Sequence, residues 1–88
     1  MKIEYTANFE RDVGNVNDKK LRARIAKKIR AIESAEILRE IVGVKKLDGH
    51  KDAYRIRIGS YRLGFLLVGE TIILGRFLHR KEIYNKFP

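Results

Sequence analysis

The spacing of apolar residues along the chain changes period more than once, and each change predicts an element. "KIEYT" alternates, with Ile3 and Tyr5 on one side and Lys2, Glu4 and Thr6 on the other, the pattern of a half-buried strand. In "ANFERDV" the period lengthens: Phe9 and Val13 stand four apart and share a helix face, and Thr6 or Asn8 can cap that short helix. "GNVN" breaks it. With Asn17 or Asp18 as the next cap, "KKLRARIAKKIRAIESA" repeats Leu21, Ile25, Ile29 (or Lys28) and Ile32 at helical spacing, which predicts a long amphipathic helix. "EILREIVGVKKLDGHKD" reads as a short helical turn carrying Ile37, Leu38 and Ile41, then a Gly-punctuated connection. Period two returns over 53–58, 61–68 and 71–78, three strands separated by Gly59-Ser60 and Gly69-Glu70, both Gly-X pairs suited to tight hairpins. The predicted order is β-α-α-β-β-β, an α+β fold with a mainly antiparallel sheet packed on two helices. With no internal repeat, linker or low-complexity tract, residues 1–88 read as a single domain.

The hairpin has a definite register. If Gly59-Ser60 is a two-residue turn, Ile58 faces Tyr61, Arg57 faces Arg62, Ile56 faces Leu63, Arg55 faces Gly64 and Tyr54 faces Phe65. One sheet face then carries Tyr54, Ile56, Ile58, Tyr61, Leu63 and Phe65 for the helices to cover; the other carries Arg55, Arg57, Arg62 and the side-chain-free Gly64. Like charges directly opposite on neighbouring strands disfavour pairing, and no acidic residue lies between positions 53 and 69 to neutralise them. An exposed arginine commonly does no more than cover apolar neighbours with its stem. Three on one face, two of them opposed, point instead to an anion. Arg55 and Arg57 lie about 6.8 Å apart by the rise of a strand, a spacing at which two guanidinium groups can hold one phosphate or two successive ones. Arg76 depends on the second turn. A two-residue turn at Gly69-Glu70 sends it to the core face, whereas a loop one residue longer puts it beside Gly64; the longer loop is expected, because burying an unpaired arginine is expensive.

Composition narrows the partner. The chain has 88 residues, 44% hydrophobic and 35% charged, with one proline, which places it among globular sequences that bury roughly 60 to 65% of their unfolded surface. Lys plus Arg number 20 against 11 Asp plus Glu, a net charge of +9 that favours polyanions, nucleic acid first. The absence of cysteine excludes disulfides, thiolate nucleophiles and Cys-type zinc sites and fits a reducing compartment, so the cytoplasm is expected. "MKIEYTANFERDV" carries an acidic residue at position 4 and no apolar run, so neither a signal peptide nor a membrane span is expected. No His or carboxylate cluster has ligand spacing, so neither metal nor other cofactor is expected. The tail "HRKEIYNKFP" brings His79, Arg80, Lys81 and Tyr84 close together. Ile83, Tyr84 and Phe87 can pin that tail to the body. Equally, the tail continues a strand ending beside the arginine face and can deliver an arginine, an imidazole and a phenol there.

The run "VKKLDGHKDAYRIRIGSYRLGF" followed by "LHRKEIY", with the element order and the basic balance, resembles the RelE/ParE superfamily of bacterial and archaeal toxins of type II toxin-antitoxin systems, over essentially the whole chain. The resemblance implies a microbial RNase-like fold and a cognate antitoxin partner. For RelE-like members it implies ribosome and mRNA as further partners and metal-independent cleavage in the ribosomal A site: the 2′-hydroxyl attacks the adjacent phosphate, giving a 2′,3′-cyclic phosphate and a free 5′-hydroxyl. Carried over by position, the basic residues of the first hairpin strand are Arg55 and Arg57, the arginine of the "YR" motif is Arg62, and the late arginine and tyrosine are Arg80 and Tyr84. Arg57, Arg62, Arg80 and Tyr84 are thus the expected catalytic set, with Arg55, Lys46, Lys51, Arg76 and His79 expected to bind RNA. Some RelE-type toxins have lysines where this chain has arginines, and an arginine cannot serve as general base near neutrality. Tyr84, His79, His50, Lys46 and Lys51 remain as candidates for that role. Two other readings stand beside the nuclease: a ParE-like poison of DNA gyrase, whose members generally lack this basic set plus tyrosine, and a weakened relative that only binds antitoxin or nucleic acid.

Overall fold

The computed structural model describes residues 1–88. Along the chain run β1 (Lys2–Tyr5), α1 (Ala7–Gly14), α2 (Lys19–Ser34), a 3-10 turn (Leu38–Glu40), β2 (Val44–Lys46), β3 (Ala53–Ile58), β4 (Tyr61–Val68), β5 (Thr71–His79) and α3 (Arg80–Lys86). The five strands form one sheet in the order β1-β5-β4-β3-β2, with β1 parallel to β5 and every other pair antiparallel. None of the helices is long and apolar enough to cross a membrane.

Each early helix starts where a side chain can take its free N–H groups. Thr6 caps α1: its Oγ1 accepts from the Phe9 N–H at 3.1 Å and donates to the Leu74 carbonyl at 2.9 Å, tying the helix to β5. Asp18 caps α2 by accepting from the Lys20 and Leu21 N–H groups at 2.8 and 3.2 Å. Phe9, Ile25 and Ile32 then meet Ile56, Ile58, Leu63, Phe65, Ile72, Leu74 and Phe77 in the core. The hairpin pairs in the expected register, from Ile58 opposite Tyr61 to Tyr54 opposite Phe65. Two ring stacks tie neighbouring strands together, Tyr54 on Phe65 at 5.4 Å and Tyr61 on Phe77 at 5.2 Å, each contributing about 1 kcal/mol beyond the area buried.

The structure corrects the expected element order at three points. Val44–Lys46 pairs with β3 and forms an edge strand inside the Gly-punctuated connection. The tail forms α3 rather than extending β5. The turn at Gly69-Glu70 has two residues, with Val68 opposite Thr71, so the longer loop expected from Arg76 is absent. A bulge does that work instead: Phe65 opposes Leu74 while Gly64 opposes Arg76, leaving Gly75 as the extra residue. Leu74 and Phe77 both stay in the core although three apart, and Arg76 is turned away from it.

Beyond the last β1 partner, Leu74, the outer edge of β5 has no neighbouring strand, and Asp12 from α1 occupies it. Its Oδ2 accepts from the Phe77 N–H at 2.9 Å and from Arg76 Nε at 2.8 Å, and its Oδ1 accepts from Arg76 Nη2 at 3.1 Å. The Asp12 side chain is 7% exposed, so removing it strands a strand N–H and a guanidinium that water reaches poorly. Asp12→Ala is expected to lower stability by about 2 kcal/mol, read as a fall in Tm of roughly 10 °C in a thermal melt.

Candidate active site

Arg55 and Arg57 on β3 and Arg62 on β4 project from the sheet face opposite the core, and Arg57 and Arg62 are direct cross-strand partners. The turn between them is built for this. Gly59 takes a left-handed φ of 60°, and its carbonyl accepts from Arg62 Nη1 at 3.0 Å, as does that of Tyr61 at 2.9 Å. The Arg80 N–H bonds the Ser60 carbonyl at 2.9 Å, so α3 starts against the same turn and Arg80 joins the group. Burial, then the charges of Arg57, Arg55 and Arg80, hold the Arg62 guanidinium below its ordinary pKa. The molecule's ion pairs are Arg76–Asp12 and Lys86–Glu82, so these four arginines have no carboxylate partner.

α3 lies against β5 and β4 and brings Tyr84 to the arginines. The Arg55 guanidinium carbon is 4.9 Å from the centre of the Tyr84 ring, and Arg55 Nη2 is 3.5 Å from the phenol oxygen, the outer limit of a hydrogen bond. Donation from Arg55, and then its charge, hold the Tyr84 phenol below the ordinary tyrosine range, with Lys45 and Arg62 adding to the effect. Tyr84 is otherwise open to solvent at 71% exposure. Beside it lies a cleft of about 250 Å³ whose walls include Lys45, Asp48, His50, Arg55, Tyr84 and Phe87.

Arg55, Arg57, Arg62, Arg80 and Tyr84 are thus brought together and Lys46 lines the cleft beside them, while Lys51, Arg76 and His79 are placed or engaged otherwise. Lys46 opposes Tyr54 and so belongs to the core side of β2; Lys45, opposite Arg55, is the lysine that reaches the arginine face. The signal for Lys45 was the alternation in "VKK", with Val44 packed against the core, hidden because three residues make a weak strand pattern. Lys51 is exposed in the bend before β3. Arg76 stands opposite Gly64 as expected, but its guanidinium is engaged by Asp12 rather than free. His79 caps α3, its Nδ1 accepting from the Lys81 N–H at 3.2 Å, and its ring meets Tyr61 edge-on at 5.5 Å on the core side of the sheet. Of the candidate bases, Tyr84 contacts the arginine cluster and His50 and Lys46 line the adjoining cleft; His79 and Lys51 do neither.

Known proteins share this fold. Residues 3–84 match the family described as the ParE toxin of type II toxin-antitoxin system, parDE. Toxin RelE3 of Methanocaldococcus jannaschii is 38% identical over 89 residues, covering all of both chains. Among solved structures, the toxin in the RelB-RelE antitoxin-toxin complex from Methanococcus jannaschii superposes with a TM-score of 0.81 at 36% identity, covering 97% of this chain and 99% of that one. The archaeal RelE-RelB complex from Pyrococcus horikoshii OT3 matches in fold, with a TM-score of 0.73 at 21% identity over 92% and 96% of the two chains. By sequence and by fold, then, the chain belongs to the RelE/ParE superfamily and is a RelE-family toxin of a type II toxin-antitoxin system.

Proposed function

We propose that this toxin is a ribosome-dependent mRNA endonuclease that cuts in the A site without a metal ion. The observation that supports this most is the group Arg55, Arg57, Arg62 and Arg80, four guanidinium ions without a carboxylate partner and with Tyr84 against one of them. The 2′-hydroxyl of the messenger attacks the adjacent phosphorus; the P–O2′ bond forms and the P–O5′ bond breaks, leaving a 2′,3′-cyclic phosphate and a 5′-hydroxyl. The proton lost from the 2′-oxygen goes to a base, and one is delivered to the departing 5′-oxygen. Arg57, Arg62 and Arg80 take the phosphate oxygens, where negative charge grows in the transition state. Arg55 lowers the cost of a Tyr84 phenolate, which makes the phenol the favoured proton-transfer group, and the Tyr84 ring can also stack on a base.

The partner in this reading is a cognate antitoxin. The relatives from Methanococcus jannaschii and Pyrococcus horikoshii are held in complexes of RelE with RelB, and an acidic segment of such a partner would neutralise the arginine face. The match to a family described by ParE favours a second reading, a poison of DNA gyrase that cuts no RNA. Programmed ribosomes and a gyrase supercoiling assay separate the two. Cleavage of A-site mRNA supports the nuclease; intact mRNA with inhibited supercoiling supports the poison. Inertness in both with antitoxin binding retained marks a weakened relative.

Arg62→Ala and Arg80→Ala are expected to lower the single-turnover cleavage rate by about 10² to 10³ each, the usual effect of losing one donor to a developing oxyanion, with far-UV spectrum and Tm retained. Unfolding of either variant would instead make that arginine structural. The rate is also expected to rise with pH along a limb whose midpoint lies below the ordinary tyrosine value of about 10, because the flanking cations favour the phenolate. Arg55→Ala moves that limb to higher pH, and Tyr84→Phe abolishes it, as a pH series of single-turnover rates would read.

A further inference from the structure

α3 has seven residues, and a helix that short is marginal by itself, so its position must come from packing. Two apolar side chains supply it. Ile83 is 2% exposed, and Phe87, one turn later, donates its N–H to the Ile83 carbonyl at 2.9 Å, which joins the two anchors in one turn of chain. Ile83 and Ala53 are buried yet lie outside the main core cluster, so the sheet has a second, smaller apolar contact apart from that core.

Beneath Phe87 the sheet is notched. Gly64 on β4 and Gly75, the bulge residue of β5, leave bare backbone on adjacent strands. A Cβ at Gly64 would stand 2.5 Å from the Phe87 ring, and a Cβ at Gly75 would stand 2.8 Å from it. Either would evict the ring. Tyr84 has no comparable hold of its own: its polar contact is Arg55, and most of its surface is in water. Where the phenol stands is therefore decided by where α3 lies.

We propose that Phe87, seated in the notch formed by Gly64 and Gly75, is a positioning residue that holds α3 so that the Tyr84 phenol meets the Arg55 guanidinium. The role deepens the nuclease reading and rests on it for its catalytic consequence, but the contact between Tyr84 and Arg55 can be measured without RNA. The bulge acquires a second use as well. It keeps Leu74 and Phe77 in the core and places a glycine beside Gly64, where a flat ring fits and a side chain does not.

The test follows ionisation of the Tyr84 phenol by tyrosinate absorbance in the full-length protein, assigned by difference from Tyr84→Phe. Phe87→Ala and Gly64→Ala should each raise the Tyr84 midpoint toward the ordinary value, as Arg55→Ala does, with the far-UV spectrum retained; Phe87→Tyr, which keeps a flat ring, should leave it near wild type. A Phe87→Ala protein that melts earlier but titrates like wild type would reduce Phe87 to a tether and overturn the proposal. If Phe87→Ala fails to fold, Gly64→Ala decides the same question from the sheet side. On programmed ribosomes, Phe87→Ala should lose cleavage by the same factor as Tyr84→Phe, with no further loss in the double variant. Absence of cleavage by wild type with the titration shifts intact would sink the nuclease and leave the positioning role standing.

Discussion

Arg57 and Arg62 are held opposite each other across neighbouring strands with no carboxylate paired to either. Such a pair weakens the sheet locally, and exposed side chains would ordinarily swing apart or the strands would slip. Slippage is blocked from the other side of the sheet. A shift of one residue would carry Ile56, Ile58, Leu63 and Phe65, each no more than 2% exposed, out of the core. Their burial is worth several times the cost of one exposed like-charge contact, so the core dictates the charge arrangement and the repulsion is tolerated. An anion entering between the arginines meets side chains whose backbone positions are already fixed.

The same sheet treats its arginines in two different ways. Arg76 has a buried carboxylate, a bidentate hydrogen-bond pattern and a structural task at the open edge of β5. Arg55, Arg57, Arg62 and Arg80 have none of these. Their polar contacts are with backbone carbonyls, at Arg62, or with a phenol, at Arg55. Charge satisfied within the molecule marks the first as architecture; charge left without a carboxylate partner is what supports the proposed site in the others.

Much of this was readable in the sequence because it depends on local parity. The Gly59-Ser60 turn and strict alternation in "AYRIRI" and "YRLGF" fix both the register and the faces, and the structure reproduces them pair by pair. The helix caps were readable to within two candidates, Thr6 over Asn8 and Asp18 over Asn17, the choice falling to the residue whose side chain reaches the second or third N–H of its helix. What could not be read depends on contacts between distant segments. The bulge at Gly75 is invisible without knowing that Leu74 and Phe77 both face the core. α3 forms because Ile83 and Phe87 find a surface, and β2 because β3 offers an edge. His79, a candidate base by residue type, is turned to the core side by the parity of β5, where it caps a helix.

The site is therefore assembled from parts of unequal stability. Arg55, Arg57 and Arg62 stand on central strands bonded on both sides, whereas Tyr84 and Arg80 ride on a short terminal helix held by two apolar side chains. Opening free energies in proteins follow such differences, with terminal elements of few buried contacts opening long before the central sheet. Lifting α3 would leave Arg55, Arg57 and Arg62 in place and remove Tyr84 and Arg80 together. In the proposed reading, three of the four guanidinium contacts to the polyanion thus depend on the sheet, and the fourth depends on the terminal helix together with the proton transfer. The proton transfer can be lost while most of the anion contacts persist.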